Sequence, residues 1–321
     1  MSQSTSQSTS QATSQATSQS TSQARLGDFT IVQELGRGGM AVVYEAFKRP
    51  ENRRVALKIL PGSFSADRQA VRRFRREARA ARKVHHPGIV TVLESGEVDG
   101  HHYIAMEYVE GRPLVIGDHP GEFDLREAVR FLVQAGRALE AIHEHGLVHR
   151  DVKPANLLVT DEGQLKLLDF GLARAAHGDK LTNTGDVLGT LVYMSPEQLW
   201  AGRRPVDART DVYSLGVTLY ELITGRPPFG ADSMSGVIQR IHGEAPTLPR
   251  YIVPGLPIDL ETICLKAMEK RPEHRYRTMG EFADDLERFL EFEPIRARRL
   301  GWLGRLWRSL RRRPAPRLTY A

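Results

Sequence analysis

The chain holds a single cysteine, Cys264, among 321 residues. No disulfide can close within it, and no zinc site can be assembled from thiolates. A reducing compartment, the cytoplasm, is the expected location. No uncharged apolar run reaches the eighteen or so residues that a bilayer span requires. The first residues show no basic stretch followed by an apolar one, so a secretory leader is not expected. Lysine is scarce, with 8 against 37 arginines. Residues 2–23 carry no charge, no aromatic ring and no apolar side chain larger than alanine. Such a stretch cannot bury enough surface to offset its ordering entropy. Residues 1–27 are therefore expected to be disordered, with Gln recurring every four residues from 3 to 23 and Thr every four from 5 to 21.

The charge that is present is unevenly placed. The net charge is +6, yet residues 291–321 alone hold nine Arg against Glu291 and Glu293. The other 290 residues sum to −1, from 36 basic and 37 acidic side chains. A body-wide nucleic-acid surface does not fit that balance, and no nucleic-acid partner is expected. Within the body, residues 67–83 carry eight basic side chains against Asp67 and Glu77.

From Asp28 onward the pattern is that of a folded unit. Phe29 to Gln33 and Val42 to Phe47 read as strands around a glycine-rich turn, and Val55 to Leu60 as a third strand ended by Pro61-Gly62. Residues 67–83 read as a helix with Val71, Phe74, Ala78 and Ala81 on one stripe. Strand-like runs follow at 89–96 and 102–109. After Gly111 the pattern is mostly helical. Asp124 is the expected N-cap of a helix ending near Gly146, and further helices are expected over 195–200, 210–225, 232–242, 258–270 and 278–290. The expected fold class is α+β. A small β-rich lobe with one helix (28–110) precedes a larger α-rich lobe (111–290), and a basic tail (291–321) follows.

Four stretches carry chemistry. Gly36-Arg-Gly38-Gly39-Met-Ala-Val-Val43 lies between strands, where glycines let backbone N–H groups approach phosphates. Taken alone it is equally an ordinary hairpin. Lys58 sits inside an apolar strand, and Glu77 lies beside the apolar stripe of the following helix; paired, they would fix an ammonium for phosphate oxygens. His149-Arg-Asp-Val-Lys-Pro-Ala-Asn156 combines a carboxylate able to accept a hydroxyl proton, a lysine able to neutralise a phosphoryl group, and an amide oxygen able to ligate Mg²⁺. Leu165-Lys-Leu-Leu-Asp169-Phe-Gly171 ends an apolar strand in a second hard oxygen ligand.

In this order and these contexts, the four stretches resemble the signature set of protein kinases. Ser195-Pro-Glu197, Asp211-Val-Tyr-Ser-Leu-Gly216 and Arg271-Pro-Glu-His-Arg275 extend the resemblance over residues 28–290. The forms Gly36-Arg-Gly-Gly-Met-Ala and Tyr193-Met-Ser-Pro-Glu-Gln198 resemble the bacterial, eukaryotic-like (Hanks-type) Ser/Thr kinases. The resemblance implies a bilobal kinase fold with ATP and Mg²⁺ (or Mn²⁺) in the cleft, and transfer of the γ-phosphoryl group to Ser/Thr hydroxyls of protein substrates. Leu35, Gly36, Arg37, Gly38, Gly39, Met40, Ala41, Val42 and Val43 would cover the nucleotide, with Ala56 on its apolar wall. Met106 would be the gatekeeper, and Glu107 to Val109 the hinge. Lys58 would hold the α- and β-phosphates and pair with Glu77, Asn156 and Asp169 would hold the metal, and Asp151 would orient the acceptor hydroxyl beside Lys153. Thr190 fits a Ser/Thr acceptor, and Glu197, Asp211 and Arg275 would be structural. Two positions depart from the family pattern, Ala41 for the third glycine of the loop and Ser195 for the alanine of Ala-Pro-Glu.

The resemblance also implies regulation. Arg150 would receive an activation-loop phosphate, and Thr182 and Thr184 match the threonines that bacterial relatives autophosphorylate. Homodimerisation for phosphorylation in trans follows by the same analogy. The alternatives are a pseudokinase scaffold and a membrane-surface adaptor. Lys58, Asp151 and Asp169 all being present argues against the first.

The tail motivates the second. Leu300, Leu303, Leu306, Trp307 and Leu310 recur at helical spacing among arginines, the make-up of a basic amphipathic helix on an anionic membrane. Peripheral contact through 295–313 with the inner face of the membrane is expected. In a liposome sedimentation assay the full chain should pellet with anionic vesicles, less so in high salt, and deletion of 295–321 should abolish it. Equal pelleting after the deletion would remove the tail from consideration.

Overall fold

The computed structural model describes residues 24–38, 41–65, 67–114, 124–169, 189–199 and 205–297. Gly39, Met40, Gly171, Thr182, Thr184 and the tail from 298 onward lie outside the described residues.

The small lobe is an antiparallel sheet of six strands. They are β1 (Arg25–Leu26), β2 (Phe29–Arg37), β3 (Val42–Lys48), β4 (Arg53–Ile59), β5 (Val92–Val98) and β6 (His101–Glu107), in the order β1-β2-β3-β4-β6-β5. Folding starts earlier than the expected boundary at Asp28. Leu26 is buried and packs in one cluster with Phe29, Ala46, Val55 and Leu57 on one face of the sheet. A four-residue helix α1 (Gly62–Ser65) stands where Pro61-Gly62 promised only a break. Helix α2 (Arg68–Ala81) covers the other face, packing Phe74 and Ala78 against Leu60, Ile104 and Met106. Asp67 caps it by accepting the Gln69 N–H at 2.7 Å.

Strand β5 begins at Val92 rather than at residue 89. The Val90 N–H donates to the Leu167 carbonyl at 3.1 Å and the Leu167 N–H to the Gly88 carbonyl at 2.8 Å. Gly88 and Val90 thus spend these bonds on the other lobe, which withdraws them from the sheet, and Thr91 then meets β6 by accepting the Glu107 N–H at 2.9 Å.

The large lobe opens with a small sheet of β7 (Arg112–Pro113), β8 (Leu157–Val159) and β9 (Leu165–Leu167). Its helices are α3 (Leu125–Glu144), α4 (Pro196–Leu199), α5 (Arg209–Thr224), α6 (Met234–Gly243), α7 (Ile258–Ala267) and α8 (Met279–Leu290). Helix α5 is buried along almost its whole length, so its sequence is apolar on all sides rather than striped. Gly216 lets α7 come close, since a Cβ there would meet the Ala267 Cβ at 2.7 Å. Cys264 is fully buried at this crossing, and burial pushes its thiol well above the ordinary value.

The lobe extends past residue 290. Asp285, with no exposed surface, accepts the N–H groups of Arg296 and Ala297 at 2.6 and 2.7 Å and the Tyr276 hydroxyl at 3.0 Å. Ala297 is buried against the main core. The first residues of the expected tail thus belong to the folded body.

One buried ion pair ties the lobe together. Arg275 meets Glu197 in a two-pronged contact of 2.6 and 2.8 Å, with side chains 0% and 2% exposed. Arg275 also donates to the Arg209 and Glu269 carbonyls, so its remaining donors are satisfied. Removing one partner strands a buried charge. Glu197→Ala should cost about 3–5 kcal/mol in urea unfolding, and the Glu197→Leu/Arg275→Met pair should recover much of that loss. A single variant as stable as the parent would show the pair to be idle.

Candidate functional site

Strand alternation builds the first half of the site. In β4, Val55, Leu57 and Ile59 are buried on the outer face, which turns Ala56 and Lys58 towards the cleft. On α2, Glu77 lies on the same buried face as Phe74 and Ala78. Helix and strand therefore meet at Lys58 Nζ and Glu77 Oε1, 2.6 Å apart. Asp169 Oδ1 completes the triangle at 2.9 Å from the same ammonium. Burial alone would lower the Lys58 ammonium, but Asp169 and Glu77 outweigh it and hold the group above the ordinary lysine value. It is charged across the physiological range.

The second half hangs on one carboxylate. Asp211, in the first turn of α5, has no exposed surface. It accepts the N–H groups of His149 and Arg150, each at 2.8 Å, and faces His143 Nε2 at 2.7 Å. Arg150 is held at φ 68°, a left-handed conformation that costs a non-glycine residue free energy. The Gln198 amide donates to the Arg150 carbonyl at 2.9 Å and fixes the peptide from its other side. His149 reaches the Leu168 carbonyl through Nε2 at 2.9 Å, and its Nδ1 takes the Asp151 N–H at 3.3 Å. One imidazole thus locks the turn carrying Asp151 to the strand end carrying Asp169, itself at φ 39°.

Around Asp151 the expected groups converge. Lys153 Nζ stands 3.3 Å from Asp151 Oδ2 and donates to Thr190 Oγ1 at 3.2 Å. Asn156 Nδ2 donates to Asp151 Oδ2 at 3.0 Å and to its carbonyl at 2.7 Å. Both bonds fix the orientation of the amide and leave its carbonyl oxygen as the end available to a cation. Asn156 and Asp169 therefore supply two hard oxygens suited to Mg²⁺. Among the described residues no group of three or more His, Cys, Asp or Glu is placed to hold a metal. The remaining ligands would come from phosphate and water, as Mg²⁺ prefers.

The nucleotide side is apolar. Ala56, Met106 and Val109 join one cluster with Leu168, a wall residue that the sequence reading missed. Val43 pairs with Lys58 across the sheet, Gly36 with Val43 and Arg37 with Val42. The Gly38 N–H donates to the Ala41 carbonyl at 2.9 Å and closes the glycine turn. Leu35 is exposed on β2. Beyond Met106 a narrow pocket is lined by Glu77, Ile104, Leu167 and Asp169.

The hinge is clamped from both lobes, which no local pattern announced. Arg54 of β4 pairs with Glu110 and lies over the Tyr108 ring at 3.8 Å. Lys166 of β9 reaches Glu107 Oε1 at 2.8 Å. Gly111 passes so near β8 that a Cβ would meet the Val159 carbonyl oxygen at 2.7 Å.

Such a site, on such a fold, is that of a protein kinase, and the chain belongs to the protein kinase domain family, which matches over residues 29–283. Among curated proteins it is 42% identical over 261 residues to a probable serine/threonine-protein kinase of Clostridium perfringens, covering 81% of this chain and 38% of that protein. It is 42% identical over 270 residues to the serine/threonine-protein kinase PknB of Mycobacterium tuberculosis, covering 82% and 43%. With PrkC of Bacillus subtilis the identity is 38% over 277 residues, covering 85% and 42%. The chain thus spans about two fifths of the length of these relatives. The crystal structure of a double mutant of the Mycobacterium tuberculosis PknI kinase domain superposes with a TM-score of 0.66 at 30% identity, covering 84% of this chain and 98% of that one. The family resemblance to bacterial Hanks-type kinases and the α+β bilobal fold expected from sequence both hold.

The hinge clamps should act on nucleotide binding. Arg54→Ala and Lys166→Met should each raise KM for ATP roughly two- to fivefold with little change in kcat, the scale of a partly exposed ion pair. An unchanged KM in both variants would show that the hinge holds its shape without them.

Proposed function

We propose that this chain transfers the γ-phosphoryl group of ATP to Ser or Thr hydroxyls of protein substrates. The observation that carries the reading is the triangle of Lys58 with Glu77 and Asp169, facing Asp151 with Lys153 and Asn156. A bound Mg²⁺–ATP complex supplies the electrophilic phosphorus and neutralises its oxygens. Lys58 orients the α- and β-phosphates, and Glu77 keeps its ammonium from swinging away. Asp151 accepts the hydrogen bond of the incoming hydroxyl and takes its proton as the new O–P bond forms and ADP leaves. Lys153 stabilises charge on the transferred group while it anchors Thr190, which positions the acceptor segment. A pseudokinase would not need all of these groups in working geometry.

Regulation follows from Arg150. Its Nε is buried and has no hydrogen-bond partner among the described residues. Burial pushes its guanidinium below the ordinary value; Asp211 opposes that shift and the nearby Arg76 adds to it. Two crowded guanidinium groups favour an anion between them, and a phosphate on Thr184 or Thr182 is the one we propose.

One experiment tests both parts. Incubation with labelled ATP and Mg²⁺ should label the parent chain and a general protein substrate. Asp151→Asn and Lys58→Met should lose activity by about two orders of magnitude or more. Equal labelling of all three would overturn the site. Phosphosite mapping should find Thr184 first and Thr182 next, and an unmodified loop in active enzyme would overturn the regulatory part.

A further inference from the structure

Helix α2 carries an arginine stripe that the catalytic reading does not use. Arg68, Arg72, Arg75, Arg79 and Arg82 follow at spacings of 4, 3, 4 and 3, so they fall on one face of the helix. All five are exposed. At 1.5 Å per residue the stripe runs for about 20 Å. Glu77 points to the opposite side, into the Lys58 pair, and Arg76 faces Arg150. Only Arg75 has an acidic partner among the described residues, Glu97 at 3.0 Å, and that pair is half-exposed on both sides. Five aligned guanidinium groups with a single carboxylate between them repel one another, and an extended polyanion would relieve that.

The chain itself supplies a candidate long enough to reach the stripe. Gly27 rests against the Val98 side chain, where an added Cβ would stand 2.9 Å from it, and Val98 follows Glu97, the partner of Arg75. Val98 packs with Leu26 on the sheet face opposite α2, so the chain enters the body on that face, beside the edge strand β5 that Arg75 reaches through Glu97. Residues 2–23 contain nine Ser and five Thr and no charge of either sign. Extended, they reach up to about 80 Å, several times the length of the stripe. As synthesised they offer the arginines nothing. Each phosphoryl group would add roughly −1.5 to −2 charges and oxygens that pair two-pronged with guanidinium.

We propose that hydroxyls of residues 2–22 are phosphorylated by this kinase and that the phosphorylated segment docks on the Arg68–Arg82 stripe. The step rests on the activity proposed above: a Ser or Thr Oγ attacks the γ-phosphorus of ATP, the bond to the bridging oxygen breaks, ADP leaves, and the hydroxyl proton passes to Asp151. The docked segment lies across the outer face of α2, the helix that carries Glu77 to Lys58.

The test uses the full chain, incubated with ATP and Mg²⁺ beside a general protein substrate, with mass-spectrometric phosphosite mapping and phenylglyoxal labelling of arginines. One variant replaces every Ser and Thr of 2–22 by Ala and keeps Thr182 and Thr184. A second carries Arg72→Ser and Arg79→Ser. Phosphate should appear within 2–22. Labelling of Arg72, Arg79 and Arg82 should then fall by more than half, recover in high salt, and stay unchanged on ATP addition in the alanine variant. The Arg72→Ser/Arg79→Ser chain should still acquire phosphate in 2–22 but leave Arg82 unprotected. Phosphorylated general substrate with no phosphate in 2–22 overturns the proposal while sparing the activity. Phosphate without protection, or protection equally present in the alanine variant, overturns the docking. Protection that arises only with added anionic vesicles assigns the stripe to a lipid surface and overturns it as well. Loss of all phosphorylation overturns the activity and this proposal with it.

Discussion

A carboxylate sealed from water at the start of a buried helix governs the large lobe's half of the cleft. Asp211 has no solvent to stabilise its charge, so it must be satisfied by fixed dipoles. It obtains them from the backbone of the very turn that bears Asp151, from His143, and from the N-terminal end of α5. The need runs both ways. The turn adopts a left-handed residue at Arg150 because Asp211 rewards that geometry with two N–H bonds, and Asp151 then leaves the turn in a fixed direction. Neutralising Asp211 would not remove a catalytic group, yet it would free the backbone on which that group stands.

Around this anchor the molecule uses charge in two different ways. Arg275 and Glu197 are fully buried, matched prong to prong, and serve as a rivet between α4 and the segment before α8. Lys58, Glu77 and Asp169 are also mostly buried, but here one cation faces two anions. The second arrangement leaves net negative charge at a cleft built for a cation-bound polyphosphate, so metal and nucleotide complete the balance together. The first stores no such incompleteness and has only a structural effect.

Much of the site was legible in the sequence because its members follow local rules. Alternation in β4 put Lys58 on the cleft side, and the spacing from Phe74 put Glu77 on the buried face of α2. Asp151, Lys153 and Asn156 share one turn, so their order along the chain is nearly their order in space. The contacts that escaped notice join residues with no common pattern: Arg54 with Glu110, Lys166 with Glu107, His143 with Asp211, Asp285 with the backbone at 296 and 297. Each lies far apart in sequence or uses backbone N–H groups that all residues possess. The start of β5 failed for a related reason. Ile89 to Thr91 has strand composition, but the Val90 N–H is spent on Leu167 of the other lobe before Thr91 meets β6 by accepting the Glu107 N–H. Composition reports what a segment could pair with, while the fold decides where the partner stands.

The two clamps on the hinge overlap rather than meet end to end. The arm from the small lobe, Arg54, extends to Glu110, whereas the arm from the large lobe, Lys166, reaches back to Glu107. Rotation that opens the cleft must lengthen one of them, so the hinge behaves as a spring with a preferred angle rather than a free joint. Its two halves differ in exposure. The side chains are 37% and 76% accessible for Arg54 and Glu110, but 19% and 26% for Lys166 and Glu107. Dissolved ions weaken the first coupling more than the second. Ionic strength therefore loosens the small lobe's grip on the hinge first, and the lobe angle becomes a property of the solvent as well as of the chain.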